Sequence, residues 1–257
     1  MTAPTSESRS PPAGGIAVIH EGQGPEVLLV YGGASPQTTW SALAPLGERW
    51  TLALAHRRGF PPSPPPPGGH QDFDVDADDL EPLLDCRPHL VAHSYGAVGA
   101  VIAATRRPNQ VRSLTLIEPA LFLPENDPDL AHFRRIGEAV LTHGLETEAT
   151  ILREFLKIAG SPIPDDGPLP EEVVRGVRRA HGSRHPAEAR PTLEVLRDAG
   201  IPSLVASGDH HPAIERMCDA VATALNAQRA IAPGAGHFVA AAPGFAERLE
   251  DFLIPAG

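Results

Sequence analysis

The chain has 257 residues, of which 42% are hydrophobic and 21% charged, so it can form a large core in one α/β domain that carries an insertion. Its formal net charge of -11 argues against general binding of nucleic acid or anionic membranes, because a basic patch would have to form against the field of the whole molecule. Its two cysteines lack zinc-type spacing. Small-molecule chemistry is the favoured class of function.

Residues 1–14 are predicted to be a disordered tail. They contain no basic segment followed by an apolar one, which a secretory signal would need, and no apolar run of the sequence is long enough to span a bilayer. We therefore expect a soluble, cytoplasmic protein that does not act at a membrane.

Apolar runs alternate with helix-like segments along most of the chain. Strands are predicted at residues 15–22, 26–33, 51–56, 111–118, 201–208 and 228–233, with one more immediately before Ser94. Helices are predicted at residues 38–47, 72–84, 95–106, 212–225 and 243–253. Strands that alternate with helices build parallel sheets, so this order predicts an α/β fold with a doubly wound, mostly parallel sheet.

The alternation stops between residues 121 and 199, where four amphipathic helices are predicted at 128–143, 145–159, 170–180 and 190–199. We expect this segment to be a helical cap inserted into a core formed by 15–120 and 200–257. Its apolar side chains indicate either a pocket wall or ordinary helix packing, and packing is favoured for most of them. These side chains are Leu121, Phe122, Phe133, Ile136, Leu152, Phe155 and Leu156.

A serine lies at the turn between a predicted strand and a predicted helix, in the run Ala92-His93-Ser94-Tyr95-Gly96. Such a turn needs small residues two positions on either side of the serine if the strand and the helix are to pack closely, and Ala92 and Gly96 meet that need. The turn would expose the Ser94 hydroxyl and leave the Tyr95 N–H free to donate to a developing oxyanion. This geometry is typical of a nucleophile.

The pattern resembles the nucleophile elbow of the α/β-hydrolase family, G-x-S-x-G, with Ala92 in place of the first glycine. Three further stretches occur in the order that this family requires, VLLVYGGAS at 27–35, SLTLIEPA at 113–120 and APGAGHFVAAAP at 232–243. The resemblance covers nearly the whole chain. It implies an α/β-hydrolase fold with a cap over the nucleophile.

The resemblance and the Gly-rich loop after the last predicted strand make His237 the candidate base. The acid that orients it is open between two residues. Relatives usually place it three residues beyond the glycine that ends the penultimate strand, yet His211 stands at that distance from Gly208. Asp209 follows this glycine directly, and Glu118 ends the strand after the elbow helix. We favour Glu118, because an ionisable residue that closes an apolar strand is expected to face the site.

A second oxyanion donor is expected in the loop after the strand VLLVY, where the family usually has H-G-x. The backbone N–H of Gly33 is the favoured donor, with that of Ala34 as an alternative. No metal is expected, because the adjacent His210 and His211 should point apart and no H-E-x-x-H spacing occurs. No Walker loop and no G-x-G-x-x-G after a strand occur either, so no nucleotide cofactor is expected.

These features predict a cofactor-independent serine hydrolase that acts on a carboxylic ester, thioester or lactone. The expected substrate is a small acyl compound, with an apolar pocket wall as one interpretation of the cap. C–C bond hydrolysis, hydroxynitrile cleavage and acyl transfer remain alternatives, because they can use the same three side chains. A ligand-binding protein on the same scaffold, with little or no turnover, is the alternative from another class.

Overall fold

A computed structural model describes residues 7–9 and 15–256 of the chain. They form one sheet of eight strands, in the order β1-β2-β4-β3-β5-β6-β7-β8. The strands are β1 (Glu7–Arg9), β2 (Ala17–Gly22), β3 (Glu26–Val30), β4 (Thr51–His56), β5 (His89–His93), β6 (Ser113–Ile117), β7 (Ser203–Ser207) and β8 (Gln228–Ile231).

Strands β3 to β8 are parallel, whereas β2 runs antiparallel to β4 and β1 runs antiparallel to β2. The mostly parallel sheet predicted from the sequence is confirmed. Because β3, β5, β6 and β7 are neighbours and point the same way, the loops that follow them meet at one edge of the sheet.

Part of the predicted disordered tail has a defined structure. Residues 7–9 form β1 and pair with residues 18–20 of β2, so the prediction of disorder is wrong for these three residues. The rest of the predicted tail, residues 1–6 and 10–14, lies outside the described part of the chain.

Nine α-helices connect or follow the strands in the described part of the chain. They are α1 (Pro36–Trp40), α2 (Phe73–Leu80), α3 (Gly96–Arg106), α4 (Pro128–His143), α5 (Ala149–Ile158), α6 (Glu171–Ala180), α7 (Leu193–Asp198), α8 (Pro212–Leu225) and α9 (Phe245–Leu253). The helices predicted at 38–47 and 72–84 are shorter than expected, since each continues as a 3₁₀ segment, Ser41–Glu48 and Glu81–Cys86. Pro45 and Pro82 lie in these segments and lack the N–H that an α-helical hydrogen bond needs.

The sheet has a buried layer on each face. Along β3, Leu28 and Val30 pack with the cluster that contains α3 and α8, whereas Val27 and Leu29 pack with the cluster that contains α9. All four side chains are fully buried. This two-residue alternation, with both faces covered by helices, is what the apolar runs of a parallel sheet predict.

Helices α4 to α7 lie between β6 and β7 in the chain. Helix α4 contacts α5, α6 and α8, while α7 packs against α3 and α8, with Leu193 and Leu196 in the main core. Because α7 packs with the core, the end of the predicted cap at residue 199 stays a prediction. None of the described helices combines the length and the apolar character needed to cross a membrane.

Candidate active site

Ser94 lies in the sharp turn between β5 and α3. Its φ of 55° falls in the left-handed region, which is uncommon for a residue with a side chain. The Ser94 N–H donates to the carbonyl oxygen of Ile117 at the end of β6, at 3.0 Å. A Cβ on Gly96 would lie only 2.2 Å from the carbonyl oxygen of Tyr31 at the end of β3. Glycine is therefore required where α3 passes under β3, as the small-residue pattern indicates.

Glu118 and His237 are hydrogen-bonded, with 2.6 Å between His237 Nδ1 and Glu118 Oε2. Glu118 follows β6 directly, has a φ of 43° and is only 2% exposed. Its other oxygen, Oε1, accepts from the backbone N–H of Gly208 at 2.8 Å. Burial alone would raise the pKa of Glu118, but the imidazoles of His210 and His237 beside the carboxylate lower it to about 2. The carboxylate is ionised at neutral pH and aligns the His237 ring.

Asp209, the other candidate acid, is directed elsewhere. It is exposed, and its backbone N–H donates to Glu215 Oε1 at 3.0 Å. Within the described chain, its carboxylate makes no hydrogen bond to His237. The structure brings Glu118 and His237 together and leaves Asp209 apart.

His210 is a second histidine on Glu118 that the sequence reasoning missed. His210 Nδ1 lies 3.2 Å from Glu118 Oε1, and Nε2 lies 3.2 Å from the carbonyl oxygen of Ile158 at the end of α5. Burial opposes a charge on this ring, but Glu118 more than offsets that effect and raises the pKa of His210. The sequence analysis weighed His210 only as a metal ligand beside His211. No group of three metal-ligating side chains is placed to hold an ion among residues 15–256.

His93, the residue before Ser94, holds the loop that carries His237. Its Nε2 lies 3.0 Å from the carbonyl oxygen of His237, and the two rings are 4.4 Å apart. Burial and the nearby His237 lower the pKa of His93 to about 3. Neutral His93 therefore donates from Nε2 to this carbonyl at physiological pH. The signal for this role was the position of His93 within the elbow motif.

Arg57 positions the loop that contains Gly33. This buried arginine donates from Nη1 to the carbonyl oxygen of Gly32 at 3.0 Å and pairs with Asp76 at 2.5 Å. The N–H and C=O of a trans peptide point in opposite directions, so fixing the Gly32 carbonyl directs the Gly33 N–H away from Arg57. Tyr95 comes directly before α3, and the first N–H groups of a helix lack partners within it.

A cavity of about 330 Å³ contains Ser94, His237 and Glu118, together with Gly33 and Tyr95. Much of its remaining wall is apolar and comes from the inserted helices. Of the seven apolar side chains singled out in the sequence, Phe122, Phe133, Phe155 and Leu156 line this cavity. The other three, Leu121, Ile136 and Leu152, are buried within the packing of the molecule and do not line it.

Comparisons with known proteins identify the family of this chain. Residues 27–248 match the model of a family described as the alpha/beta hydrolase family. The chain is 27% identical over 240 residues to 2-(acetamidomethylene)succinate hydrolase of Mesorhizobium japonicum. The alignment covers 87% of this chain and 85% of that protein. It is 29% identical over 203 residues to pimeloyl-[acyl-carrier protein] methyl ester esterase of Methylococcus capsulatus, with 73% of each chain covered.

Solved structures show the same fold. A thermophilic esterase from Thermogutta terrifontis superposes with a TM-score of 0.65 and 22% sequence identity, over 99% of both chains. The family model matches most of the chain. The serine turn with its positive φ and the order of Ser94, Glu118 and His237 along the chain are consistent with that family. This chain belongs to the alpha/beta hydrolase family and has its fold.

Proposed function

We propose that this protein is a cofactor-independent serine hydrolase that cleaves a carboxylic ester, thioester or lactone through an acyl-enzyme. The observation that carries the proposal is the 2.6 Å contact between His237 Nδ1 and Glu118 Oε2, in the cavity that also contains Ser94. A serine hydroxyl is a weak nucleophile until a base takes its proton, and an imidazole oriented by a carboxylate is such a base.

In the proposed acylation step, Ser94 Oγ attacks the carbonyl carbon while His237 Nε2 takes the hydroxyl proton. The N–H groups of Gly33 and Tyr95 stabilise the negative charge on the carbonyl oxygen. Glu118 stays ionised and stabilises the imidazolium through Nδ1–H. The tetrahedral intermediate then collapses, and the alcohol or thiol leaves with the proton from His237 Nε2.

In the deacylation step, water attacks the acyl carbon as His237 Nε2 accepts one of its protons. The bond between the acyl carbon and Ser94 Oγ breaks, and Oγ recovers the proton from His237. The products are a carboxylic acid and the regenerated serine, so the balance needs only water. This is why the proposal includes no cofactor.

The names of the two curated relatives support hydrolysis as the reaction class. One is named for hydrolysis of 2-(acetamidomethylene)succinate and the other for hydrolysis of a methyl ester of pimeloyl-[acyl-carrier protein]. Both proteins match this chain over 73% or more of its length. Ester hydrolysis is therefore the first activity to assay.

We also propose that residues 121–199 act as a cap that shapes the acyl site. Phe133 from α4, Phe155 from α5 and Val177 from α6 all line the cavity that contains Ser94. The backbone of Gly160, two residues after the end of α5, comes so close to the loop that carries His237 that a Cβ there would lie 2.5 Å from His237 Cβ.

The proposal is tested by measuring acid release from a series of ethyl esters by pH-stat titration. The wild-type protein should turn over several times per active site, and Ser94→Ala should lower kcat by at least about 10⁴-fold. Ser161→Ala is the matched control, because Ser161 lines the same cavity and has no proposed role in the reaction. Equal turnover by wild type and Ser94→Ala would refute Ser94 as the nucleophile.

A further inference from the structure

Arg179 in α6 lines the same cavity as Ser94 and Gly33. Its guanidinium donates from Nη2 to the carbonyl oxygen of Gly33 at 3.2 Å, and its central carbon lies 4.3 Å from the centre of the Phe60 ring. The side chain is half-buried. The inserted segment therefore brings a cation to the loop that holds the proposed oxyanion donor.

The charge of Arg179 is not balanced by an ion pair within the described chain. No carboxylate oxygen of residues 15–256 lies within 4.0 Å of its guanidinium, and the buried Nε has no hydrogen-bond partner there. Neighbouring arginines are paired, Arg57 with Asp76 at 2.5 Å and Arg175 with Glu171 at 2.6 Å. Burying a cation without a partner costs free energy, and burial lowers the pKa of Arg179 accordingly.

A carboxylate on the same helix, Glu172, raises the pKa of Arg179 but forms no ion pair with it within the described residues. Glu172, which also lines the cavity, accepts a hydrogen bond from Thr38 Oγ1 at 2.8 Å. A second cavity of about 350 Å³ adjoins Arg179 and is also lined by Arg175 and Arg178. Arg178 makes no ion pair within the described residues. Arg178 and Arg179 therefore bring two cations without ion-pair partners among the described residues to one side of α6, and Arg179 faces the cavity that also contains Ser94, Glu118 and Glu172.

We propose that Arg179 binds a carboxylate of the substrate, so that the preferred substrates are esters or thioesters that carry a second, ionised acid group. The inference rests on the proposed function, because the carboxylate is placed relative to Ser94. A guanidinium presents several N–H donors whose geometry matches a carboxylate, and Arg179 lines the cavity that contains Ser94. The bound carboxylate would balance the charge of Arg179, which has no ion-pair partner among the described residues.

The test compares substrates that differ only in a terminal carboxylate or methyl group. Monoethyl adipate against ethyl hexanoate places the charge on the acyl side, and 4-acetoxybutanoate against butyl acetate places it on the alcohol side. In at least one pair, the wild-type kcat/KM should be about 10- to 100-fold higher for the charged member, as expected for a charge-assisted hydrogen bond. The pair that shows the preference identifies which side of the ester carries the carboxylate.

Arg179→Gln should abolish this preference while leaving the neutral esters as substrates. Because Arg179 also contacts Gly33, some loss with all substrates is compatible with the proposal, and the ratio within each pair is the readout. Arg153→Gln is the control, since Arg153 lies on α5, lines neither cavity and contacts only backbone carbonyls of 164–167. A preference that survives in Arg179→Gln, or is absent from the wild type, would overturn the inference.

Calorimetric titration with adipate separates this inference from the proposed function. Wild type and Arg153→Gln should bind the dianion, and Arg179→Gln should bind it at least about tenfold more weakly. Binding without any ester turnover would uphold the carboxylate site and contradict the hydrolase proposal. Turnover without charge preference or adipate binding would contradict the carboxylate site alone.

Discussion

The carboxylate of Glu118 contacts two loops, the one after β7 and the one that carries His237. Oε2 accepts from His237, while Oε1 faces the Gly208 N–H and His210. These contacts outweigh the cost of burial and keep the pKa of Glu118 at about 2. In the proposed mechanism, this buried, ionised acid holds His237 with its proton on Nδ1 and leaves Nε2 available as the base.

Glu118→Gln should lower kcat by about 10⁴-fold, because an amide cannot stabilise the imidazolium and can favour the wrong tautomer. Asp209→Asn, the matched change at the exposed candidate, should leave kcat within about twofold of the wild type, because His237 is hydrogen-bonded to Glu118 and not to Asp209. Steady-state kinetics with one ester decide between them. The reverse ranking would show that the loop after β7 rearranges in the working enzyme.

The sequence restricts the choice of some of these candidate residues and leaves others undecided, for physical reasons. Ser94 and His237 stand at positions where turn geometry and chain order restrict the choice. Glu118 and Asp209 both follow a buried strand, and in the structure both have a positive φ, 43° and 55°. Nothing local in the sequence tells which of these turns faces the cavity. His210 was missed because its partner, Glu118, is distant in the chain.

The turn between β5 and α3 depends on close backbone contact. Gly96 lies under Tyr31, and Gly32 lies over Ser94, where a Cβ would be 2.7 Å from Ser94 Cβ. The turn can hold Ser94 at the edge of the sheet only if positions 32 and 96 carry no side chain. Packing at this turn is thus coupled directly to the position of the proposed nucleophile.

Gly96→Ala should lower the free energy of unfolding by about 1–3 kcal/mol, because the new methyl group overlaps the Tyr31 carbonyl. Gly176→Ala is the matched control within α6, where a Cβ would have no neighbour within 4 Å, and it should stabilise the protein by up to about 1 kcal/mol. Urea denaturation monitored by circular dichroism measures both. A neutral Gly96→Ala would contradict the close contact.

Element prediction succeeded where periodicity was strong. Helix α4 has the predicted bounds, 128–143, because its apolar positions repeat with helical spacing between an Asp cap and Gly144. Strand β2, by contrast, pairs with β4, although β3 is its neighbour in the chain. Apolar runs mark where strands occur, but the pairing order depends on long-range packing that a single sequence does not display.

On the scale of the whole molecule, buried titratable groups couple the site to acid stability. His93 has its pKa lowered from 6.5 to about 3 by burial and by His237, so the unfolded chain binds a proton between these values that the folded chain excludes. Glu118 binds its proton in the unfolded state near 4.5 but in the folded state only near 2. Both differences make folding less favourable as pH falls.

The free energy of unfolding should therefore decrease as pH is lowered, first below 6.5 from His93 and then below about 4.5 from Glu118. Between pH 6.5 and 4, the His93 contribution is on the order of 3 kcal/mol. His93→Gln should flatten this part of the curve, whereas His143→Gln, a change at an exposed position, should not. Denaturation at several pH values checks this, and an unchanged slope in His93→Gln would contradict it.

The central claim is that Ser94 is an activated nucleophile, and covalent labelling tests it most directly. Wild-type protein and Ser94→Ala are incubated with a fluorophosphonate, and intact mass is measured before and after. We predict one adduct per wild-type chain and none in Ser94→Ala. A folded wild-type protein that stays unlabelled, or equal labelling of the variant, would contradict the claim.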